Sequence, residues 1–173
     1  MNNLSAHTLT AYIGLGSNLE SPVDQIKSAH LAIIALDGVK DLAFSSLYAS
    51  TPMGPQDQPD YVNAVMAVTT SLSPLDLLQA LQGIELGHGR VRGVQRWGAR
   101  TLDLDLLLYG DQQIDLPELT VPHKGIADRA FVLYPLHECA PDLIVPGKGK
   151  LSDLLAQRPL AGLRQLNEYE SGS

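Results

Sequence analysis

The sequence predicts one α+β domain whose core runs strand, helix, strand, strand, helix, strand. Three observations support this order: the strand-like segments are rich in apolar residues, two helix-like segments follow Ser-Pro pairs, and loops rich in Gly or Pro separate them. The order suits an antiparallel sheet with helices packed on one face, followed here by a C-terminal extension. With 173 residues, 45% of them hydrophobic, the chain is long enough to bury a core.

The first half of this core contains a strand, a helix and a second strand. The segment from Leu9 to Leu15 predicts a strand, and Gly14-Leu15-Gly16-Ser17-Asn18 is expected to form the turn that follows it. Ser21-Pro22 opens a helix, because proline is tolerated in the first turn, where its missing N–H costs little. Apolar residues then recur at helical spacing until Gly38, and Leu42 to Ser50 predicts the second strand.

The second half runs strand, helix, strand. A Pro-rich loop over 51–60 leads to a strand from Tyr61 to Thr70, whose apolar residues alternate on one face. Ser73-Pro74 opens the second helix. A polar loop rich in Gly and Arg then spans Gly87 to Gly98, and Thr101 to Tyr109 predicts the fourth strand.

The C-terminal extension is expected to contain two short helices, near residues 128–134 and 151–156. The whole chain, 1–173, is predicted to be one domain, and residues 1–8 and 168–173 are expected to be flexible ends. Cys139 is the single cysteine, so no intrachain disulfide can form, and its apolar surroundings favour a place in or near the core.

Composition limits the classes of function. Twelve basic and nineteen acidic residues give a net charge of −7, and the pI is near 5.0, which disfavours general binding of nucleic acid or anionic membranes. No apolar run approaches the roughly 20 residues that span a bilayer, and the N-terminus lacks an export signal. With one cysteine, these features predict a cytoplasmic protein.

The segment Thr101 to Leu107 carries the most informative residues. Because successive side chains of a strand point to opposite faces, Asp103 and Asp105 are expected on one face and the intervening leucines on the other. Their Cα atoms would lie about 6.6 Å apart, a separation at which two carboxylates can hold Mg²⁺ together with substrate phosphates. The alternative is a strand with one solvated face, but aspartate is a poor strand former.

Four arginines precede this strand in a loop punctuated by glycine: Arg90, Arg92, Arg96 and Arg100. Such a run can be a solvated face. Here the arginine run lies in an acidic protein beside the two carboxylates, and one guanidinium group can bind two phosphate oxygens at once. Metal-binding carboxylates next to an arginine-bearing loop predict phosphoryl transfer.

Other sequence features are weaker. There is no Walker A run, and Gly14-Leu15-Gly16 lacks the third glycine of a dinucleotide-binding fingerprint. His123 could donate to a phosphate oxygen, although a lone loop histidine is often incidental. Tyr61, Asn63 and Phe131 could bind a flat heteroaromatic ring by stacking and by the amide edge, although the two aromatic residues are core residues by default. The other histidines show no zinc-ligand spacing.

Together these residues resemble the 6-hydroxymethyl-7,8-dihydropterin pyrophosphokinase family. The block Arg96-Trp97-Gly98-Ala99-Arg100-Thr101-Leu102-Asp103-Leu104-Asp105-Leu106-Leu107 carries the resemblance most specifically. Supporting matches are Ile13 to Asn18, Gly54 to Asn63 and Thr120 to His123. The resemblance implies a ferredoxin-like fold and transfer of pyrophosphate from ATP to the pterin hydroxymethyl group in folate biosynthesis, which gives the pterin diphosphate and AMP.

The resemblance also implies roles for individual residues and for two Mg²⁺ ions. The metal ligands would be Asp103 and Asp105. The catalytic loop would contribute Arg90, Arg96, Trp97 and Arg100. The ATP site would include Gln82, Glu85, Arg92, Arg100, Leu106, Thr120, His123 and Arg129. The pterin pocket would include Thr51, Pro52, Met53, Tyr61, Asn63 and Phe131. The expected partners are these small molecules alone, with no nucleic acid or membrane, and the protein is expected to be a monomer.

Three positions depart from the family pattern. The loop from Thr51 to Pro55 is shorter than in some relatives, and Glu118 and Lys124 stand where some carry a basic and an aromatic side chain. These changes concern peripheral substrate contacts rather than the metal strand.

Two other functions stay open at this point. A ferredoxin-like nucleic-acid-binding module would use the arginine loop and Trp97 as its binding patch, but the net charge and the carboxylate pair disfavour it. An ordinary kinase, which moves a single phosphate, would release ADP rather than AMP.

Overall fold

A computed structural model of the chain describes residues 8–18, 21–50, 61–87, 102–158 and 163–166. In these residues a six-stranded sheet is accompanied by two short hairpins. The strands are β1 (Leu9–Ser17), β2 (Val39–Phe44), β3 (Tyr48–Ser50), β4 (Tyr61–Thr70), β5 (Leu102–Tyr109), β6 (Ile114–Asp115), β7 (Thr120–Val121), β8 (Ile144–Val145), β9 (Gly149–Lys150) and β10 (Leu163–Gln165). The helices are α1 (Pro22–Ile34), α2 (Pro74–Gly87), α3 (Ala130–Cys139) and α4 (Leu151–Ala156), with a 3₁₀ turn at Ile126–Asp128.

The sheet confirms the predicted α+β order. Its strands follow the sequence β10-β3-β4-β1-β5, and β2 pairs with the other end of β4. Both β1 and β2 are antiparallel to β4, so they run parallel to each other with β4 between them. This is the split βαβ arrangement, and it is compatible with a ferredoxin-like core.

One face of the sheet is covered by α1 and α2, and we call it the helix face. Helix α2 starts where Ser73 Oγ accepts a hydrogen bond of 3.1 Å from the Asp76 N–H, which satisfies a backbone donor of the first turn. The residues that fill this face are fully or almost fully buried, and each of the larger aliphatic side chains among them stabilises the fold by about 1.5–3 kcal/mol. They include Ile26, Ala29 and Ile33 of α1, Leu77 and Leu81 of α2, and the alternating Val62, Ala64, Met66 and Val68 of β4.

The opposite face is covered by α3 and α4, and we call it the α3 face. Its buried cluster joins Val65 of β4 to Leu133 and Leu136 of α3. The two core helices therefore lie on one face as predicted, and the C-terminal extension, whose placement was not predicted, adds a second layer on the other face. The extent of α3 also differs from the prediction: the helix runs through Pro135 to Cys139, since packing of its buried side stabilises it beyond the proline.

The predicted second strand is broken into β2 and β3. Ser45 Oγ accepts a hydrogen bond of 2.9 Å from the Val65 N–H and donates one of 2.7 Å to the Ser46 carbonyl, so a side chain replaces a regular ladder contact. Smaller differences lie at the ends of elements. Strand β1 continues to Ser17, and α1 ends at Ile34 rather than at Gly38, which lies in the following turn at φ +84°.

A bulge interrupts β5 near its end. Tyr12 pairs with Leu108 while Ile13 pairs with Leu106, so Leu107 is an extra residue in this strand. As a result, Leu106 lies on the helix face, and both Leu107 and Leu108 join the cluster on the α3 face. The alternation that places acidic side chains on one face therefore ends at this point.

Two further expectations concern the surroundings of the core. Cys139 packs against the α3-face cluster, and burial raises the pKa of its thiol to about 11, as expected for a near-core residue. No helix of the described residues is long and apolar enough to cross a membrane. Except for residue 8, the predicted flexible ends lie outside the described residues.

Candidate active site

A row of residues crosses the sheet on the α3 face. Gly16 of β1 pairs with Asp103 of β5 on one side and with Asn63 of β4 on the other. Directly opposite residues in antiparallel strands share a face. The carboxylate predicted to bind metal and the amide predicted to bind the pterin therefore lie on the same face, with one strand between them. In the next row, Gly14 lies between Asp105 and Val65.

Neither glycine projects a side chain onto this face, although Gly14 is buried against Leu107 and only Gly16 is partly exposed. A Cβ atom at Gly16 would lie 3.0 Å from Asn63 Oδ1, and one at Gly14 would lie 3.4 Å from the Leu107 side chain. The prediction of a turn at Gly14-Leu15-Gly16 was wrong, because all three residues are in β1 and pair with both neighbouring strands. That these glycines are strand residues without side chains on the α3 face was not predicted. The sequence does alternate them with the buried residues Ile13, Leu15 and Ser17, which is a strand pattern.

The carboxylates of Asp103 and Asp105 flank these glycines. Both residues are half-buried, and the Asp105 side chain is 44% exposed, while the alternating leucines are buried on the helix face. Hard, partly exposed carboxylate oxygens fit the chemistry of Mg²⁺. No group of three acidic, His or Cys side chains in the described part of the chain could enclose a metal.

The outer edge of β5 is held by two contacts. The Leu104 N–H donates a hydrogen bond of 2.7 Å to Glu85 Oε2 at the end of α2. The His123 N–H donates one of 3.0 Å to the Leu107 carbonyl. The side chain of Leu106 lies in the core of the helix face, so only its backbone can contribute to a site at this edge. Glu85 and His123, two predicted ATP-site residues, thus both contact the strand that carries the carboxylates.

The imidazole of His123 lies beside Asp105, with 3.9 Å between His123 Nε2 and Asp105 Oδ1. His123 Nδ1 accepts a hydrogen bond of 3.1 Å from the Gly125 N–H. In the neutral ring the proton is therefore on Nε2, the atom that faces the carboxylate. Burial lowers the pKa of His123, and the Arg129 cation lowers it further, while the Asp105 charge acts in the opposite direction. His123 is thus a neutral hydrogen-bond donor at pH 7.

Arg129 lies immediately before α3, folded over the turn that follows His123. A Cβ atom at Gly125 would lie 2.6 Å from Arg129 Nε, so the absence of a side chain at Gly125 makes room for the arginine. The guanidinium carbon lies 5.7 Å from the centre of the Phe131 ring. The structure therefore brings Arg129, Phe131 and His123 to one corner of the α3 face.

The remaining predicted residues are less informative or lie elsewhere. Tyr61 shares the face of Asn63 by strand alternation and is half-buried. Gln82 is exposed on α2, and Thr120 pairs with Asp115 in the β6–β7 hairpin. Eight predicted residues lie outside the described residues: Thr51, Pro52, Met53, Arg90, Arg92, Arg96, Trp97 and Arg100.

Comparisons with known proteins identify the family of this chain. The family model described as 7,8-dihydro-6-hydroxymethylpterin-pyrophosphokinase matches residues 12–141. The chain is 54% identical over 155 residues to the 2-amino-4-hydroxy-6-hydroxymethyldihydropteridine pyrophosphokinase of Pseudomonas aeruginosa, covering 90% of this chain and 95% of that one. It is 52% identical over 149 residues to the Haemophilus influenzae protein of the same name, covering 86% and 92%.

A solved structure supports the fold. The crystal structure of Plasmodium falciparum HPPK-DHPS with pteroate matches with a TM-score of 0.68 and 15% identity, over 87% of this chain and 42% of that longer one. At this identity the likeness concerns the fold alone. The match to the family model and the two close relatives establish membership: this chain belongs to the 7,8-dihydro-6-hydroxymethylpterin-pyrophosphokinase family.

Proposed function

We propose that this chain transfers the pyrophosphoryl group of ATP to the hydroxymethyl group of 6-hydroxymethyl-7,8-dihydropterin, which yields the pterin diphosphate and AMP in folate biosynthesis. Family membership and the names of the relatives support the activity and its place in folate biosynthesis. The observation that carries the proposal is the shared face of Asp103, Gly16 and Asn63, since it joins a candidate metal site to a candidate ring-binding site across a strand position that has no side chain.

Asp103 and Asp105 would hold Mg²⁺, and we propose two ions. When bound, Mg²⁺ would neutralise charge on the phosphate oxygens and increase the acidity of the attacking alcohol. Phosphate groups would approach the carboxylates beside Gly16, which is half-buried and projects no side chain there. The two aspartates alone provide too few ligands for a closed structural site, which favours an ion shared with the substrate.

The nucleotide would bind along the outer edge of β5 and the corner next to it. His123 Nε2 can donate to a phosphate oxygen, and the Arg129 guanidinium can pair with another. By strand alternation, Leu106 presents its backbone N–H and carbonyl to the same edge as Leu104, where an adenine could form a pair of hydrogen bonds. The peripheral contacts of the ATP site would come from Gln82, Glu85, Thr120 and the arginines Arg92 and Arg100.

The pterin would bind on the other side of Gly16. Asn63 Oδ1 lies over Gly16, where it can accept a hydrogen bond from a ring N–H. Tyr61 on the same strand face and Phe131 on α3 would stack on the ring, and Thr51, Pro52 and Met53 would complete the pocket.

The reaction would be an in-line displacement at the β-phosphorus. The alcohol oxygen forms the new bond to this phosphorus while the bond to the oxygen that bridges the α- and β-phosphates breaks; AMP leaves with that oxygen, and the alcohol proton is released to water. His123 acts as a donor to phosphate rather than as the base, because its Nε2 carries a proton. The arginines 90, 96 and 100, with Trp97, would exclude water and stabilise the charge of the transition state.

We further propose that the protein is a cytoplasmic monomer whose partners are these small molecules. Its net charge of −7 disfavours nucleic acid and anionic membrane as partners.

The test is a product assay with Mg²⁺, ATP and hydroxymethyldihydropterin. We expect AMP and the pterin diphosphate in equal amounts, and no product when a chelator removes the metal. ADP in place of AMP would indicate single-phosphate transfer, and absence of both would refute the proposal. In a thermal-shift experiment, Mg-ATP should raise the melting temperature and an oligonucleotide should not.

A further inference from the structure

The row of residues that contains Asn63 continues beyond β4. Tyr48 of β3 lies directly opposite Asn63, and Gln165 of β10 lies opposite Tyr48. Directly opposite residues of antiparallel strands have Cβ atoms about 4.5–5.5 Å apart on the same face. Asn63 is therefore flanked by the empty position of Gly16 on one side and by a tyrosine on the other. The side of Asn63 that faces away from the carboxylates is closed by the Tyr48 ring, which is 6% exposed.

The hydroxyl of Tyr48 ties this row to α3. Tyr48 donates a hydrogen bond to Glu138 Oε2, and the other carboxylate oxygen accepts one of 2.7 Å from the Ser46 N–H. Gln165 Nε2 donates to Ser46 Oγ at 2.9 Å, so β10 supports the same short segment. Burial and the adjacent Glu138 raise the pKa of Tyr48, which keeps its hydroxyl a proton donor. One carboxylate thus connects the strand beside Asn63 to a helix 90 residues later in the chain.

The same helix carries a candidate pterin residue. Phe131 precedes Glu138 by seven positions in α3, which corresponds to two helical turns and about 10.5 Å along the axis. Because both residues lie in one continuous helix, which packing holds together through Pro135, a contact that fixes Glu138 also limits how far Phe131 can move from the sheet. The Tyr48–Glu138 hydrogen bond therefore lies in a position to set the gap between α3 and β4.

We propose that Tyr48 and Glu138 are positioning residues for the pterin, which set the separation between Asn63 on β4 and Phe131 on α3. Neither residue needs to touch the substrate. Tyr48 acts through Asn63, its cross-strand neighbour, and Glu138 acts through the placement of α3. The inference rests on the proposed function, because it assigns the ring to the space between these two residues.

The test is the affinity of Tyr48→Phe for 6-hydroxymethyl-7,8-dihydropterin, titrated calorimetrically with Mg²⁺ and a non-hydrolysable ATP analogue present. The variant keeps the ring and removes only the hydroxyl. Loss of a hydrogen bond of this kind should raise the pterin Kd about fivefold. The Kd of the ATP analogue should stay within about twofold, and turnover should show a higher KM for pterin with kcat retained.

A matched control is Tyr109→Phe. The Tyr109 hydroxyl donates to the Leu72 carbonyl, and the residue is also 6% exposed, but it packs in the core of the helix face. The Tyr109→Phe variant should lower the melting temperature as Tyr48→Phe does, but it should leave the pterin Kd unchanged. A second variant, Glu138→Gln, retains a carbonyl oxygen that can accept from Tyr48, so its pterin Kd should lie between those of wild type and Tyr48→Phe. Because Glu138 is exposed, this variant should fold even if Tyr48→Phe does not.

Three results would overturn the inference. The pterin Kd could be unchanged in both Tyr48→Phe and Glu138→Gln, it could rise equally in Tyr109→Phe, or the affinity for the ATP analogue could fall as much as that for pterin. A wild-type protein that neither binds pterin nor releases AMP would instead refute the proposed function, and the inference with it. Pterin binding and AMP release are therefore measured on the wild-type protein first, before any variant is compared with it.

Discussion

Successive residues of β5 lie on opposite faces of the sheet, and the residues on the helix face differ from those on the α3 face in type and in exposure. Leu102, Leu104 and Leu106 are at most 4% exposed where they pack in the core of the helix face. Asp103 and Asp105, which alternate with them, are half-buried on the α3 face. A single eight-residue strand therefore anchors the core with one set of side chains and presents carboxylates with the other.

The central strand shows the same difference in another form. On the helix face, β1 contributes Ala11, Ile13 and Leu15 to the core, whereas on the α3 face it has glycine at positions 14 and 16. The helix face is filled across the whole sheet, while the α3 face combines a packed cluster with a stretch that projects no side chains. The comparison teaches that strand alternation lets one strand pack leucines on one face of the sheet and keep polar, partly exposed side chains on the other.

The largest effect is expected when a carboxylate of the α3 face is removed. Asp103→Ala or Asp105→Ala should each reduce turnover by at least about 10³-fold, because the metal would lose one of its two protein ligands. The melting temperature should change little, since both residues are partly exposed. Steady-state AMP release and thermal unfolding, measured on the same samples, check the two parts of this expectation.

The control for those variants is Leu104→Ala, on the same strand but on the helix face. Removing this buried side chain should cost about 2–5 kcal/mol of folding free energy, because it leaves a cavity in the core. Its turnover, measured well below the melting temperature, should remain close to that of wild type. If the aspartate variants lost stability and Leu104→Ala lost turnover, the assignment of the two faces would be wrong.

A smaller effect is expected from adding a side chain at Gly16. In Gly16→Ala, the new Cβ would lie 3.0 Å from Asn63 Oδ1, so the amide must shift. The KM for pterin should rise about tenfold, which corresponds to roughly 1.4 kcal/mol of lost binding. The matched variant is Gly14→Ala, whose Cβ would make an ordinary contact with the Leu107 side chain at 3.4 Å. Equal KM values in the two variants would contradict a specific role for the Gly16–Asn63 contact.

The smallest effect concerns the pH dependence of stability. Burial lowers the pKa of His123, so the unfolded chain, in which histidine has a pKa of about 6.5, binds a proton more readily than the folded chain. The stability that His123 contributes is therefore complete above about pH 6.5 and is lost as the pH falls below that value. Chemical denaturation in the presence of a chelator, between about pH 7.5 and 5, should show a smaller loss in His123→Gln than in wild type. Identical pH profiles would show that the imidazole is not held in the neutral form.

The sequence predicted the elements that depend on local pattern. The β-α-β-β-α-β order followed from apolar periodicity and from the two Ser-Pro helix starts, and the structure confirms it. The placement of Asp103 and Asp105 on one face of a strand needed only the alternation of side chains, and it is also confirmed. Local signals sufficed in these cases because neighbouring residues determine the geometry.

The features that were missed depend on contacts between distant parts of the chain. The break between β2 and β3 is stabilised by Ser45 with Val65 and by Ser46 with Glu138, which is 92 residues away. Continuation of α3 through Pro135 depends on burial against the sheet, which outweighs the helix-breaking tendency of proline. The bulge at Leu107 is visible only from the pairing with β1. The arginine loop and the Thr51–Met53 segment lie outside the described residues, so their roles stay predictions.

The paired glycines of β1 also bear on how this protein could be engineered. Glycine inside a strand weakens it by roughly 0.5–1 kcal/mol relative to alanine, so a selection for heat resistance would favour replacing both. Gly14 should accept such a replacement without loss, whereas Gly16 would exchange catalytic efficiency for rigidity. Stability and activity are therefore expected to oppose each other at Gly16, whereas no such conflict is expected at Gly14, two residues away.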